Sequence, residues 1–339
     1  MVAYEYRLSS TYTRKQVLMK IVITGGCGYI GSHISRYLKQ NNENASVYII
    51  DRERRDHTLK GVDGFLHTDF VSKQSLLWLD ELQPDVVVHC AGDISVRESV
   101  EDPGKYYDNN VAKTITFLNH VKDYKKKPLV LFSSSASVYG NPDHVPLVET
   151  DRIKPITPYG HSKDIIEVVL QNYNQAYGLP SVCFRYFNAA GAEPVNYDLG
   201  QQSGAGHIIA RLLESKINNE SFTLNGMDYA TPDRTCIRDY IHVWDLADAH
   251  FRAIQWNNYG RAAIFNLGTN QGISNQEIID YVNVKYGPIN VIIGERRSGD
   301  PDQLIADASR ARRELAWQPK YSTIDQIIDS AYKWYTRGL

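Results

Sequence analysis

The chain has 339 residues, with 37 basic and 39 acidic side chains that give a formal net charge of -2. This length supports one large core or two lobes that share a cleft, and it excludes a small disulfide-stapled scaffold. Because the charges nearly balance, no strong field gathers nucleic acid or a membrane surface, and a small-molecule partner is expected.

Cysteine use and hydropathy indicate a cytoplasmic protein. The four cysteines, Cys27, Cys90, Cys183 and Cys236, lie far apart and form no C-x-x-C pair. No histidine is spaced to share a metal with them, so we expect reduced thiols, no disulfide and no zinc. No apolar run has the length of a membrane span, and the first residues lack the apolar core of a secretory signal.

Residues 1–18 are polar and rich in Ser, Thr and Tyr, and Met19 opens an apolar run. The segment is predicted to be a disordered extension outside the fold or the product of an upstream start codon. Its basic, acid-poor composition leaves an organelle transit peptide as the alternative.

The first half of the chain alternates short apolar runs with helical patterns. This alternation predicts an α/β fold, with a Rossmann-type doubly wound parallel sheet over residues 19–189. The predicted strands are Met19–Ile23, Val47–Ile50, Gly64–Leu66, Asp85–His89, Pro128–Phe132 and Ser181–Tyr186. The predicted helices are Tyr29–Gln40, Lys73–Leu82, Gly104–Tyr124 and Pro158–Tyr177.

From about residue 190, glycine and asparagine become frequent and the strands shorten, as in Phe222–Leu224 and Val291–Ile293. Residues 190–339 are therefore predicted to form mainly a smaller C-terminal α/β substrate lobe. A helix and a strand are predicted at 241–256 and 262–267, so the chain near 241–270 is expected to return to the large lobe. The last helix carries one apolar stripe and is predicted to pack without chemistry.

A G-x-x-G-x-x-G pattern follows the first predicted strand and opens the first predicted helix, which is the setting of a dinucleotide-binding turn. Gly25 permits a tight turn, Gly28 lets the backbone approach a pyrophosphate, and Gly31 lets helix and strand pack closely. The helix N-terminus then points at the phosphates. A glycine-rich turn without a ligand is the alternative interpretation.

Asp51 ends the second predicted strand, 20 residues after Gly31. A carboxylate there can hydrogen-bond the adenosine ribose and repel a 2′-phosphate, which favours NAD over NADP. Arg52, Arg54 and Arg55 argue the other way, because such cations can hold a 2′-phosphate.

The segment Thr157-Pro-Tyr159-Gly-His-Ser-Lys163 places a tyrosine and a lysine four residues apart at a helix start, with Thr157 as the N-cap and Pro158 in the first position. The two side chains share one helix face. A free phenol has a pKa of about 10, so it acts as a base near neutral pH only if a cation stabilises the phenolate, which this ammonium can do. A chance surface pair is the alternative interpretation.

These motifs, together with Ser133-Ser-Ser135-Ala-Ser-Val-Tyr139 after the fifth strand, resemble the extended short-chain dehydrogenase/reductase family. Within it, the chain is similar to the UDP-galactose (UDP-glucose) 4-epimerases from Lys20 almost to the C-terminus. The other motifs that carry this resemblance are Tyr106-Tyr-Asp-Asn-Asn-Val111, Arg185-Tyr-Phe-Asn-Ala-Ala-Gly-Ala192, Arg238-Asp-Tyr-Ile-His-Val243 and Arg296-Arg-Ser-Gly-Asp300.

The resemblance implies NAD as a permanently bound cofactor and a UDP-sugar as the substrate. It implies that Tyr159 is the base, that Lys163 binds the nicotinamide ribose and lowers the tyrosine pKa, and that Ser135 hydrogen-bonds the sugar 4-hydroxyl. The implied reaction is 4-epimerisation of a UDP-hexose through a transient 4-keto sugar, which turns over while the enzyme grips the nucleotide. A homodimer is also implied, built on the helices around Gly104–Tyr124 and Pro158–Tyr177, although their apolar stripes fit packing on the sheet equally well.

By the same resemblance, one set of residues contacts the cofactor and another contacts the substrate. The cofactor set is Gly25, Gly28, Tyr29, Ile30, Gly31, Asp51, Asp69, Phe70, Ala91, Gly92, Asn109, Ser133, Tyr159, Lys163 and Phe187. The substrate set is Ser135, Asn188, His207, Ile208, Leu224, Asn225, Arg238, Arg297, Asp300 and Leu304. Arg238 and Arg297 are the expected diphosphate clamps, because a guanidinium fork matches phosphate oxygens. A structural salt bridge is the alternative for each arginine.

Three positions depart from the family pattern. Leu304 lies where side-chain bulk limits the sugar 2-substituent, and its intermediate size leaves UDP-GlcNAc open as a substrate. Ile94 stands where some relatives carry a lysine near the cofactor. Arg234 stands where a glycine is usual, so its loop is expected to take another path or to add a nucleotide contact.

Rival functions follow from the same residues. The main one is 4-epimerisation of another UDP-sugar, namely an N-acetylhexosamine, a pentose or a uronate. A dehydratase is disfavoured because no acidic residue follows Ser135 in its motif. A non-catalytic NAD-sensing protein has no need of an activated phenolate, so the Ser135, Tyr159 and Lys163 set argues against it.

Overall fold

The computed structural model describes residues 18–202, 204, 206–256, 260–297 and 300–337. Of the predicted extension over residues 1–18, all but Leu18 lies outside the described residues. The strands are β1 (Met19–Thr24), β2 (Ala45–Asp51), β3 (Gly64–His67), β4 (Val86–His89), β5 (Leu129–Ser135), β6 (Ser181–Tyr186), β7 (Asn188–Ala190), β8 (Phe222–Asn225), β9 (Ile237–Arg238), β10 (Tyr240–His242), β11 (Ala262–Leu267), β12 (Ile273–Ser274), β13 (Val291–Gly294) and β14 (Gln303–Leu304).

The α-helices lie between these strands and after the last of them. They are α1 (Tyr29–Asn41), α2 (Lys73–Leu82), α3 (Val96–Glu101), α4 (Pro103–Tyr106), α5 (Lys113–Val121), α6 (Pro158–Tyr177), α7 (Ile208–Ile217), α8 (Val243–Gln255), α9 (Asn275–Tyr286), α10 (Ser309–Glu314) and α11 (Ile324–Thr336). A π-helical turn at Tyr107–Ala112 joins α4 to α5, and short 3-10 turns lie at Asp56–Leu59 and Ala136–Tyr139. In the described part of the chain, no helix combines the length and apolar character needed to cross a bilayer.

Seven parallel strands form the central sheet, in the order β11-β6-β5-β4-β1-β2-β3. The chain winds from β1 outward to β3 on one side and from β4 outward to β6 on the other. The predicted doubly wound sheet is confirmed. In this topology the loops that leave β1 and β4 diverge and open a crevice at the carboxyl ends of the strands, where ligands bind.

Both faces of this sheet are covered, which explains the continuous apolar runs of its strands. In β1, Ile21 and Ile23 belong to a core with residues of α1 and α8, such as Ile34. Val22, between them, belongs to a core on the opposite face with residues of α5 and α6, such as Phe117 and Ile166. The helix α8 packs on α1, and β11 pairs with β6 at the edge of the sheet, so this later stretch of chain is part of the large lobe.

The smaller lobe has its own core. It gathers side chains from α7, α9 and α11 against the strand β8, with Leu213, Phe222, Ile278 and Ile328 among the residues that are fully or nearly fully buried. The strand β8 pairs with β13 in a two-stranded sheet, and within the described ranges its other edge has no strand partner.

The segment predicted as one helix over Gly104–Tyr124 differs from the structure. It consists of α4, the π-helical turn and α5, because one wider turn inserts an extra residue without disturbing the apolar spacing on either side. The helix α3 was not predicted either. It is too short for a periodic pattern, and it is capped by Ser95, whose Oγ accepts a hydrogen bond from the Glu98 amide at 3.2 Å.

Candidate active site

Tyr159 and Lys163 lie in the first turns of α6. Thr157 caps the helix, since its Oγ1 accepts a hydrogen bond from the Gly160 amide at 3.2 Å, and Pro158 occupies the first turn as predicted. The Lys163 Nζ lies 5.7 Å from the centre of the Tyr159 ring. The predicted pair therefore shares one face of one helix.

Burial controls the ionisation of both groups. Lys163 is 4% exposed, and its loss of hydration lowers its pKa to about 8. Burial raises the pKa of the Tyr159 phenol, while the hydrogen bond with Ser135 acts in the opposite direction. Burial sets the direction of this shift, and the predicted lowering of the tyrosine pKa by Lys163 stays a prediction.

Ser135 ends β5 beside the Tyr159 phenol. Its Oγ accepts a hydrogen bond from the Ser137 amide at 3.1 Å and lies 3.0 Å from the Ser137 Oγ, at the start of the 3-10 turn. These contacts hold the serine side chain in place. A strand-end serine and a helix-start tyrosine thus converge on one point, which is the geometry required to act on a single substrate hydroxyl.

A buried chain of hydrogen bonds starts from Ser133, also in β5. The Ser133 Oγ lies 3.2 Å from the Cys90 Sγ and 3.0 Å from the Tyr186 hydroxyl, which lies 2.8 Å from the His250 Nε2. Burial lowers the His250 pKa to about 4, so the ring is neutral. Its Nδ1 then donates to the Leu246 carbonyl at 2.8 Å and its Nε2 accepts from Tyr186. Sequence reasoning missed the pairing of Tyr186 with His250, which no spacing rule indicates.

The glycine turn has the tight geometry expected of it. Gly25 has a φ of +72°, and a Cβ there would lie 2.7 Å from the Ala91 amide nitrogen. A Cβ on Gly31 would lie 2.3 Å from the Gly25 carbonyl oxygen. Both positions therefore require glycine, whereas a Cβ on Gly28 would have only the Gly25 oxygen nearby, at 3.2 Å. The start of α1 is thus open to a ligand beside Gly28.

The next two residues of the turn face the protein. Ile30 packs against the core on the α1 face of the sheet. The Tyr29 hydroxyl donates a hydrogen bond to the Gly191 carbonyl at 2.8 Å, which ties the glycine turn to the chain that follows β7.

Asp51 braces the glycine turn at the end of β2. Its Oδ2 accepts a hydrogen bond from the Cys27 amide at 2.8 Å, and its Oδ1 accepts one from the Glu53 amide at 2.9 Å. Arg54 forms an ion pair with Asp56, and Arg55 forms one with Glu53. Two of the three arginines that could hold a 2′-phosphate, Arg54 and Arg55, are therefore already paired with carboxylates of their own segment.

Asp69 and Phe70, two residues of the predicted cofactor set, follow β3. Burial tends to raise the Asp69 pKa, but Lys113, which donates to its Oδ2 at 2.9 Å, holds this pKa below the usual value. Phe70 is 4% exposed and meets the His89 ring edge to face at 5.1 Å. Phe70 is thus largely a core side chain, with little surface left for a ligand.

The π-helical turn brings Asn109 and Asn110 to the loop that follows β4. The Asn110 Oδ1 accepts a hydrogen bond from the Asp93 amide at 2.8 Å, and its Nδ2 donates to the Asp93 carbonyl at 2.9 Å. A Cβ on Gly92 would lie 3.1 Å from this Oδ1 and 3.7 Å from the Lys163 Nζ. The Asn109 Oδ1 is buried and has no hydrogen-bond partner among the described residues. Asn110 was not in the predicted set, because nothing in the sequence marks the wider turn.

The small lobe contains a cavity with about 580 Å³ of empty space, part of it open to solvent. It gathers eight of the ten predicted substrate residues, from β7, β8, β9, the start of α7 and the loop before β14. These are Asn188, His207, Ile208, Leu224, Asn225, Arg238, Arg297 and Asp300. Arg211 lines it too and was not predicted, since its position on α7 is that of an ordinary polar surface residue.

Two predicted substrate residues lie outside this cavity. Ser135 stands at the catalytic pair described above. Leu304 is 9% exposed and packs with Phe187 and Ala136 in a small core between the two sites. Because Leu304 also pairs with Arg238 across β14 and β9, its position is fixed by the sheet.

Arg238 forms an ion pair with Asp300 in this structure. Its Nη2 donates to the Asp300 Oδ1 at 2.5 Å and to the Pro301 carbonyl at 2.8 Å, and its Nη1 donates to the Ile237 carbonyl at 2.8 Å. The Asp300 Oδ2 accepts a further bond from the Tyr229 hydroxyl at 2.9 Å. The alternative interpretation of a structural salt bridge thus describes Arg238 as it stands here.

The Arg234 loop keeps a glycine-like backbone. Arg234 has a φ of +66°, in the left-handed region that glycine adopts without strain. Arg234 therefore differs from the family pattern in its side chain, while its backbone keeps the conformation that a glycine would adopt.

The four cysteines carry free thiols. Along the chain, two or more strands or helices separate each cysteine from the next. Over the ranges given above, no group of three or more His, Cys, Asp or Glu side chains is placed to hold a metal ion.

Comparisons with known proteins agree with this geometry. Residues 21–268 match the model of the NAD dependent epimerase/dehydratase family. A UDP-glucose 4-epimerase from Halalkalibacterium halodurans is 40% identical over 324 residues, which cover 94% of this chain and 96% of that protein.

Solved structures give the same result. The crystal structure of UDP-glucose 4-epimerase from Brucella ovis in complex with NAD has a TM-score of 0.87 and 36% identity, covering 93% of this chain and 97% of that one. The enzyme from Bifidobacterium longum in complex with NAD+ and UDP has a TM-score of 0.87 and 32% identity, covering 94% and 99%. Fold, site and sequence together place this chain in the NAD dependent epimerase/dehydratase family.

Proposed function

We propose that the chain is an NAD-dependent UDP-hexose 4-epimerase that interconverts UDP-glucose and UDP-galactose through a transient 4-keto sugar. One observation carries the proposal. Ser135, Tyr159 and Lys163 meet at the open end of the central sheet, and the small lobe adds a cavity that contains most of the predicted nucleotide contacts. The chain is also similar over nearly its whole length to UDP-glucose 4-epimerases.

The residues present fit a dinucleotide. The amide end of α1 is open at Gly28, and the tight approach of Gly25 to Ala91 shapes the crevice between β1 and β4. The buried Asn109 Oδ1 has no hydrogen-bond partner in the described part of the chain, and a polar ligand group would satisfy it. Bound NAD supplies the hydride acceptor and donor at carbon 4 and, when oxidised, a positive charge beside the phenol.

Tyr159 takes the proton of the sugar 4-hydroxyl and returns it after the sugar has turned. Ser135 holds the same oxygen by a hydrogen bond, and Lys163 provides the positive charge that keeps the phenolate accessible. Since the proton returns to the sugar within one cycle, the buried phenol needs no path to bulk water. Because burial raises the pKa of this phenol, the phenolate form depends on the positive charges of Lys163 and of oxidised NAD.

The separation of cavity and catalytic pair accounts for the turning of the sugar. Binding energy placed on the nucleotide retains the 4-keto intermediate while the hexose itself is held loosely. In the proposed arrangement the large lobe, residues 19–189 with the returning chain near 241–270, binds NAD, and the rest of residues 190–339 mainly binds the UDP-sugar. The Leu304 side chain limits the space beside the sugar.

Incubation of the purified protein with UDP-galactose and with UDP-GlcNAc, followed by chromatography of the products, tests the proposal. Formation of UDP-glucose is expected. Conversion of only a UDP-N-acetylhexosamine, a UDP-pentose or a UDP-uronate would move the assignment to another sugar. Bound NAD with no conversion of any UDP-sugar would favour the non-catalytic sensor.

A homodimer is also proposed, with a second copy of this chain on the face formed by α3, the π-helical turn and α6. Val100, Tyr107 and Val168 are large hydrophobic residues on these segments, exposed by 62%, 39% and 49%. A Val168→Glu substitution is expected to shift sedimentation from dimer to monomer. Val284→Glu is the matched control, because Val284 is 90% exposed on α9. A monomeric wild type, or equal effects of both substitutions, would contradict the proposal.

The cytoplasm is the proposed compartment. The free thiols of the four cysteines fit reducing conditions. Recovery of the protein in the cytoplasmic fraction of its source cells is the expected result, and recovery in an organelle would instead favour the transit-peptide interpretation of residues 1–18.

A further inference from the structure

The cavity of the small lobe contains three guanidinium groups, and they are not equivalent. Arg238 is neutralised by Asp300, whose two oxygens are both contacted by protein donors. Arg211 and Arg297 have no ion pair with any residue that the structure describes. The cavity therefore holds uncompensated positive charge from Arg211 and Arg297, and not from the arginine in the motif after β9.

Arg211 is half-buried on the first turns of α7. Its Nη2 donates to the Thr223 carbonyl at 3.4 Å, and its guanidinium carbon lies 5.4 Å from the centre of the Phe222 ring. Both contacts are to β8, so they place the Arg211 guanidinium beside a strand that lines the cavity. A long contact to one carbonyl leaves most of the donors of the fork available to a ligand.

The electrostatic surroundings of Arg211 are repulsive. Burial lowers its pKa, and the nearby charge of Arg297 acts in the same direction, while Glu214 opposes them from beyond ion-pair distance. Arg297 also lowers the pKa of His207 at the start of α7, in addition to the effect of burial. Two like charges in a half-buried cavity destabilise each other unless an anion lies between them.

We infer that Arg211 is a third guanidinium acting on the nucleotide diphosphate, beside Arg297 and Arg238, although Asp300 already balances the charge of Arg238. The inference rests on the proposed function and deepens it. The doubly charged diphosphate of a UDP-sugar matches two free guanidinium forks at the amide end of α7. Arg211 is therefore a specificity-determining residue for the diphosphate that the family motifs do not contain.

The competing interpretation is that Arg211 contacts the nucleotide base. Thr223, which Arg211 contacts, belongs to β8, and one edge of β8 has no strand partner among the described residues, so a base can approach it. Binding of UDP and of uridine separates the two interpretations. An arginine that contacts phosphate affects UDP alone, whereas one that contacts the base affects both ligands equally.

The test uses the NAD-loaded enzyme and calorimetric titration with UDP and with uridine at two salt concentrations. Arg211→Met is expected to weaken UDP binding by about tenfold to a hundredfold and to reduce its dependence on salt, with little change for uridine. Arg211→Lys should retain part of the UDP affinity. Lys73→Met, which removes an exposed charge from α2 on the large lobe, should change neither ligand.

Retention of NAD by each variant shows that it is folded. An unchanged UDP affinity in Arg211→Met, or an equal loss for UDP and uridine, would overturn the inference while leaving the epimerase assignment intact. Failure of the wild-type enzyme to bind UDP would overturn both.

Discussion

The surroundings of the catalytic residues and the nucleotide cavity differ in how far their polar groups are paired within the protein. Around Tyr159, the neighbouring polar groups are mostly satisfied within the protein, as in the chain from Ser133 through Tyr186 to His250. In the cavity of the small lobe, Arg211 and Arg297 form no ion pair with any of the described residues. One region is preorganised by folding, and the other is completed by its ligand.

This difference separates two kinds of function. A residue that transfers a proton must be held in place before the substrate arrives, so its supports are internal. A residue that retains a diphosphate gains most when its charge is unpaired in the free protein. Substitutions in the first region should therefore change kcat, and substitutions in the second should change affinity.

The largest effect is expected from acid, because the large lobe buries neutral histidines. Burial lowers the pKa of His33 and His250 to about 4 and that of His89 and His242 to about 3. Each imidazole binds a proton in the unfolded chain below about pH 6.5, so stability is lost as pH falls from there towards these values. Asp239, whose pKa burial raises to about 6, opposes the trend.

Each histidine that stays neutral down to a pH of about 4 is expected to lower the free energy of unfolding by roughly 3 kcal/mol between neutral pH and that pH. Urea unfolding at stepped pH measures it. His161→Gln should leave the pH profile unchanged, because that ring is exposed on α6. A profile that is flat over this range would mean that the buried rings are not held neutral.

Next in size is the removal of the Ser135 hydroxyl. Ser135→Ala is expected to lower kcat by about a hundredfold or more, because the sugar oxygen loses the hydrogen bond that aligns it with Tyr159. KM for UDP-galactose should change little, since the nucleotide contacts lie elsewhere. Steady-state kinetics distinguishes these parameters, and a change confined to KM would contradict the division between the two regions.

The smallest effect is expected at Arg234, in the loop near the cavity. With a φ of +66°, a non-glycine residue there is strained. Arg234→Gly should raise the free energy of unfolding by up to about 1 kcal/mol, because relief of strain is partly offset by the greater freedom of glycine in the unfolded chain. Denaturant unfolding at neutral pH measures the change. A clear loss of stability would show that the side chain makes a contact that outweighs the strain.

Local signals predicted the first region well. The Thr157 cap, the Pro158 position and the four-residue spacing define where Tyr159 and Lys163 lie on α6, and the glycine spacing defines the turn after β1. These features depend on neighbours in sequence. The pKa of Tyr159 could not be predicted in the same way, because its direction depends on burial by the whole fold.

The remaining features depend on contacts between distant parts of the chain. The wider turn that carries Asn109 leaves the apolar period unchanged, so periodicity cannot reveal it. The Tyr186–His250 bond joins residues 64 positions apart. Arg211 has the spacing of a polar surface residue on α7 and becomes part of the cavity only when β8 packs beside that helix.

The central claim is that the Tyr159 phenol moves the proton of the sugar 4-hydroxyl. Turnover of UDP-galactose by Tyr159→Phe, compared with Tyr177→Phe at the exposed far end of the same helix, tests it most directly. A loss of roughly a thousandfold or more is expected in Tyr159→Phe, with NAD and UDP still bound and near-normal activity in Tyr177→Phe. Near-normal epimerisation by Tyr159→Phe would contradict it.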